Sequence, residues 1–176
     1  MIRRWTLQQV ARGAFVLLIL LCVIPLTVQR LREPPGPSIE IVSASGEVRK
    51  VTLSQMKAMS VLTRAGSYEN QYGNWRDEGV YSGILLIDLV GNADYSSIDV
   101  VAGDGYRITV DPERIQNPDY PMVLAFCMDG ADVPAWEDGF RLAILPEDGG
   151  VSNEEYGVAS AGSYWVMRVV KLISNP

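Results

Sequence analysis

Short apolar runs broken by turn residues make up most of the chain. Ile39–Ser43 and Val48–Val51 read as strands around a turn at Ser45-Gly46, and Val61–Thr63 as a third. Between them, Thr52–Met59 spaces its apolar residues as one or two helical turns, with Thr52 placed to cap the first. Ile84–Val90 reads as a short buried helix stopped by Gly91. Ile98–Gly103 and Tyr106–Val110 flank Asp104-Gly105, a strong hairpin signal. Asp111-Pro112-Glu113 is a helix start, with a capping carboxylate followed by proline at the first helical position. Met122–Met128 is a buried strand running into a turn at Asp129-Gly130, and Phe140–Leu145 and Tyr164–Ile173 are further strands. Strands dominate, helices are few and short, and no repeat of 20–50 residues is visible. The expected architecture is α+β with a mixed β-sheet.

One run breaks this rhythm. Ala14–Val28 holds 15 residues without a charge, preceded by Arg3, Arg4 and Arg12. As a helix it rises roughly 22 Å, short of the ~30 Å hydrocarbon layer. Val10–Gly13 lengthens it, with Arg12 snorkelling toward headgroups and Trp5 suited to the interface. The arginines ahead of the run predict an N-terminus kept inside and a C-terminal domain exported. The alternative is a cleaved signal peptide, whose apolar core is often this short. Thr27–Arg32 lacks the small residues that cleavage wants, and Ser43-Ala44-Ser45 lies too far downstream. Cys22 follows the bulky Leu21 and reads as an apolar residue of the anchor rather than a lipidation site. The expected organisation is an anchor or signal peptide over residues 1–32, a stiff Pro-rich linker over 33–38, and one domain over 39–176.

Composition narrows the chemistry. There is no histidine among the 176 residues, which excludes a His-ligated zinc or haem, a Ser-His-Asp triad and a histidine general base. Residues 1–37 hold five arginines against Glu33, so the domain carries −10 of a chain total of −6. That acidity argues against a nucleic-acid partner. Of the two cysteines, Cys22 lies in the apolar run, so Cys127 cannot form a disulfide within the domain and reads as a core thiol. About 139 residues are enough for a core to hold the fold alone.

The stretch richest in hydrogen-bonding groups is Arg64–Glu78, RAGSYENQYGNWRDE. It reads as a long irregular loop carrying Arg64, Ser67, Asn70, Gln71, Asn74, Arg76, two tyrosines and Trp75. Amides, aromatics and arginines suit a polar heterocycle with a phosphate. The alternative is a twisted surface loop whose aromatics cap the core. A second loop, Pro146–Ser163, carries Glu147, Asp148, Glu154 and Glu155 without calcium-loop spacing and reads as solvated. There is no P-loop, G-x-G-x-x-G or C-x-x-C.

In order, YENQYGNW, YSGILLIDLVG, VVAGDGYRITV, LAFCMDGADVP, GFRLAILP and YWVMRVVKLI resemble the molybdopterin-binding domain of the sulfite oxidase family. The likeness spans about residues 40–174 and is greatest to the small prokaryotic versions behind a membrane anchor. Gly83 with Leu85 and Leu89, Asp104-Gly105-Tyr106, Leu124-Ala125 with Gly130, Gly139, Arg141 and Pro146, and Tyr164-Trp165 through Ile173 carry it. The resemblance implies a pterin, with Arg64, Ser67, Asn70, Asn74, Tyr106, Arg107 and Arg141 as its candidate contacts. Three departures accompany it. The family's molybdenum-ligating cysteine falls near Thr63–Ser67, yet no cysteine occurs between Cys22 and Cys127. The pterin-contacting histidine is missing, and Phe140 stands where a proline precedes Arg141. Without a thiolate the usual hold on molybdenum is gone, leaving the Ser67 hydroxyl as an oxygen alternative. The expectation is therefore a membrane-anchored, extracytoplasmic domain with no catalytic or metal-ligating residue, binding a small ligand or other subunits of a membrane complex. The alternative is a molybdopterin-dependent oxidoreductase acting on a small substrate.

Overall fold

The computed structural model describes residues 36–91 and 95–176. The expected anchor over 1–32 and the first part of the linker lie outside them. Among the described residues no helix is long and apolar enough to cross a membrane.

Alternation begins at the first strand. In β1 (Ser38–Val42) Ile39 and Ile41 point inward while their neighbours stay partly exposed. A tight turn with Gly46 at φ +83° returns the chain antiparallel into β2 (Val48–Thr52). The Thr52 hydroxyl then accepts from the Gln55 amide while the Gln55 side chain accepts from the Thr52 amide, a reciprocal cap that starts α1 (Leu53–Lys57).

The largest departure from expectation follows. The stretch read as an irregular loop is a long antiparallel hairpin, β3 (Val61–Glu69) and β4 (Trp75–Leu85). Its outer half is half-exposed on both faces, so no inward apolar set marks a period of two. The Asn70 Oδ1 accepts from the amides of Tyr72 (2.9 Å) and Asn74 (3.1 Å), a side-chain turn that closes the tip. β4 also takes Ile84 and Leu85, leaving α2 (Leu86–Val90) shorter than expected but ended, as expected, by Gly91 at φ +78°.

β5 (Ser97–Ala102) and β6 (Arg107–Val110) pair across the Asp104-Gly105 turn, and Asp111 caps α3 (Pro112–Ile115) through the Arg114 amide. β7 (Met122–Met128) buries its first five residues and pairs with β4, with the short β8 (Ala131–Asp132) and with β9 (Arg141–Ile144). The acidic loop is not wholly irregular. Ser152 caps α4 (Asn153–Tyr156), and a 3-10 turn covers Ala161–Tyr164. The last strand, β10 (Val169–Asn175), begins five residues later than expected, because Tyr164 closes the 3-10 turn and Arg168 bends at φ +53°.

Two sheets result. One has the order β2-β1-β10-β5-β6 and is mixed, because β1 and β10 run parallel. The other, β3-β4-β7-β8 with β9 on β7, is antiparallel. The expected α+β class holds, with its strands divided between two sheets rather than gathered in one. Ile39, Ile98, Val100 and Leu172 from the first join Ile84, Leu124, Leu142 and Ile144 from the second in one buried cluster. Gly83 permits the approach of β4 to β7: a Cβ there would lie 2.3 Å from the Leu124 carbonyl oxygen.

Candidate functional site

The tip of the β3–β4 hairpin meets the 3-10 turn at Ala161–Tyr164 across an open cleft of about 400 Å³. Tyr68, Asn70, Gln71 and Tyr72 line one side, and Ser160, Gly162 and Ser163 the other. The two sides are tied together. Glu69 donates its amide to the Val151 carbonyl, and its carboxylate accepts from the Asn153 amide at 2.8 Å. The Asn153 side chain bridges onward, donating to the Asn70 carbonyl (2.8 Å) and accepting from the Ala161 amide (2.7 Å). Gly162 is a packing requirement, since a Cβ there would sit 2.4 Å from the Tyr68 ring. Tyr106 adds to the far rim, its hydroxyl 3.5 Å from the Ser163 carbonyl.

Behind Tyr68 lies a polar core. Tyr68 packs on Trp165 with ring centroids 5.1 Å apart, and Trp165 meets Tyr81 edge-on at 5.3 Å. Arg141 is buried beside them and pairs with Asp77 and with Asp138 (3.3 Å), each carboxylate about a third exposed. Burial pushes both the Tyr68 and the Tyr81 phenols up from their ordinary values, and the Asp77 charge adds to the shift in each. The Arg141 Nε and the Trp165 indole nitrogen are buried without a hydrogen-bond partner.

The seven candidate pterin contacts do not converge. Asn70 reaches the cleft and Tyr106 its rim. Ser67 donates to the Gly149 carbonyl at 3.2 Å, and Asn74 is exposed, its carbonyl accepting from the Asn70 amide. Arg64 donates to the Leu145 carbonyl (3.1 Å) and lies 3.5 Å from Glu147. Arg107 pairs with Asp99 at 3.3 Å. Arg141 is sealed beneath its own two carboxylates. Each arginine offered for a phosphate is thus already engaged within the chain, and none lines the cleft. Sequence reasoning missed Ser160, Gly162 and Ser163, which carry no signal beyond small size, and the carboxylates Asp77 and Asp138.

The residues present do not fit molybdenum. Thr63–Ser67 forms part of β3, where the Thr63 hydroxyl bonds Ser82 at 2.8 Å and the Ser67 hydroxyl is taken by Gly149. Cys127 lies in β7, opposite Ser82 and Asp132, and burial pushes its thiol up, away from the thiolate a soft metal needs. Among the described residues no group of three or more His, Cys, Asp or Glu side chains is placed to hold a metal ion.

No protein-family model matches the chain, and no curated protein matches it. Its structure is similar to that of the sulfane dehydrogenase SoxCD from Paracoccus pantotrophus, with a TM-score of 0.58 and 14% sequence identity. The match covers 79% of this chain and 38% of that one, so the chain spans well under half the length of that relative. What the two share is a sheet-dominated α+β fold, compatible with the resemblance carried by the sequence motifs.

Proposed function

We propose that this chain is a non-catalytic binding module: a domain of molybdopterin-enzyme type that has lost its grip on the metal and keeps a cleft for a small ligand. One observation carries the reading. Where the resemblance places a metal thiolate, the chain has Arg64 and Ser67 on a paired strand, each already donating to a backbone carbonyl. The arginines suited to a cofactor phosphate are likewise neutralised by carboxylates or carbonyls of the same chain. Of the candidate contacts, Asn70 still faces open space, in the cleft between the hairpin tip and the 3-10 turn. The uncharged run at 14–28 supports a module held at the outer membrane surface, within reach of other membrane proteins.

The test is the metal and pterin content of the full chain, purified from a host that makes molybdopterin. Neither is expected above trace level; molybdenum near one atom per chain overturns the reading. The structural likeness to a sulfane dehydrogenase favours a second reading, an oxidoreductase acting on a small sulfur compound. Under that reading the purified chain carries cofactor and passes electrons from sulfite or a sulfane to an artificial acceptor.

A further inference from the structure

The geometry points to a neutral polyhydroxylated ligand, a saccharide, in the cleft between the hairpin tip and the 3-10 turn. This rests on the binding-module reading and names the ligand class of its site.

The first argument is charge. The domain carries −10, yet no Asp, Glu, Lys or Arg lines the cleft. A phosphate or carboxylate ligand finds no counter-charge there, and a cation finds no carboxylate. The lining instead offers amides, hydroxyls and phenols, groups that donate and accept in the same small space. A sugar ring presents matching hydroxyls around its edge and an apolar C–H face.

The second argument is the aromatic ring. Tyr72 is 78% exposed at the apex of the turn and lines the cleft, so its ring face is open to stack on the C–H face of a sugar. The turn under it is braced, because the Asn70 side chain accepts from the amides of both Tyr72 and Asn74. With the backbone already fixed, only the side chain remains to be ordered on binding. Asn70 retains its Nδ2 donors, and among the described residues the Gln71 amide has no hydrogen-bond partner. The volume of about 400 Å³ lies within the range of small-ligand sites, ~300–1,000 Å³.

Calorimetric titration of the detergent-solubilised full chain with maltotetraose, cellotetraose and chitotetraose tests the assignment, with neopterin as the competing heterocycle. At least one tetrasaccharide is expected to bind, with Tyr72→Ala weakening it about tenfold or more at an unchanged melting temperature. Gln71→Ala is expected to weaken it less. No heat with any tetrasaccharide at millimolar concentration overturns the saccharide assignment, as does binding that neither substitution affects. Neopterin bound in their place, and lost in Tyr72→Ala, overturns the ligand class while leaving a binding module. Stoichiometric molybdenum in the same preparation overturns the module reading, whereas tetrasaccharide binding through Tyr72 still upholds the cleft's ligand.

Discussion

The guanidinium of Arg141 lies over the ring of Trp165, its central carbon 5.6 Å from the ring centroid. The charge is thereby held against an aromatic face, with Asp77 and Asp138 closing its outer side. Arg141→Ala removes the cation, its packing on Trp165 and the partner of two carboxylates at once. Those carboxylates are partly exposed and can rehydrate, so the expected loss is about 2–4 kcal/mol. Asp138→Asn keeps the shape and costs about 1 kcal/mol or less. Urea unfolding compares the two; equal losses would contradict a central role for the arginine.

Asn70 and Asn74 separate cleanly. Asn70→Ala strips two turn amides of their acceptor and should cost about 1–2 kcal/mol. Asn74→Ala touches an exposed side chain and should stay within about 0.5 kcal/mol. Melting temperatures of both variants decide it. A neutral Asn70→Ala would show that the tip closes without its side chain.

Glycine substitutions report two different approaches. At Gly83 the obstacle is the Leu124 carbonyl, backbone that cannot step aside, so Gly83→Ala is expected to cost about 3 kcal/mol or to prevent folding. At Gly162 the obstacle is the Tyr68 ring, which can turn, and about 1–3 kcal/mol is expected. Gly162→Ala should also narrow the cleft, weakening any ligand there even where the fold survives. Paired melting and titration measurements check both effects.

Alkaline pH tests the buried phenols. Burial raises the Tyr81 phenol from its ordinary value of 10.0, opposed by Arg141 and reinforced by Asp77. A raised folded-state value means the native chain keeps a proton that the unfolded chain has released. The contribution is therefore complete below about pH 10 and is lost as pH climbs from there through the native value. Tyr81→Phe also removes a hydroxyl that donates to the Asp77 carbonyl at 2.6 Å. It should be less stable by about 1 kcal/mol near neutrality and lose less than wild type between about pH 9 and 11. Parallel losses in the two proteins would exclude Tyr81 as a source of alkaline instability.

Local chemistry was legible in the sequence where one or two residues decide an element. Thr52 and Asp111 cap their helices, Asp104-Gly105 turns its hairpin, and the apolar run of Met122–Met128 is a strand whose first five residues are buried. The β3–β4 hairpin was not legible, because its distal half has no face turned wholly inward and its ladder is held by backbone groups. The site was half legible. Asn70 and Tyr106 stand at the cleft, whereas Arg64, Arg107 and Arg141 reach acids or carbonyls that the fold alone brings near. Asp77 lies 64 residues from Arg141 along the chain, a separation no local motif reveals.

The parallel pairing of β1 with β10 sets a schedule for the chain. β1–β2 and β5–β6 can each form as hairpins, but they belong to one sheet only through β10, the strand that follows all others in sequence. Until Val169–Asn175 has emerged, the halves of that sheet share no ladder, and the apolar faces of Ile39, Ile41, Ile98 and Val100 lack their neighbour. That sheet therefore cannot close before β10 has been made, whereas the antiparallel sheet, which does not include β10, is free to pair earlier.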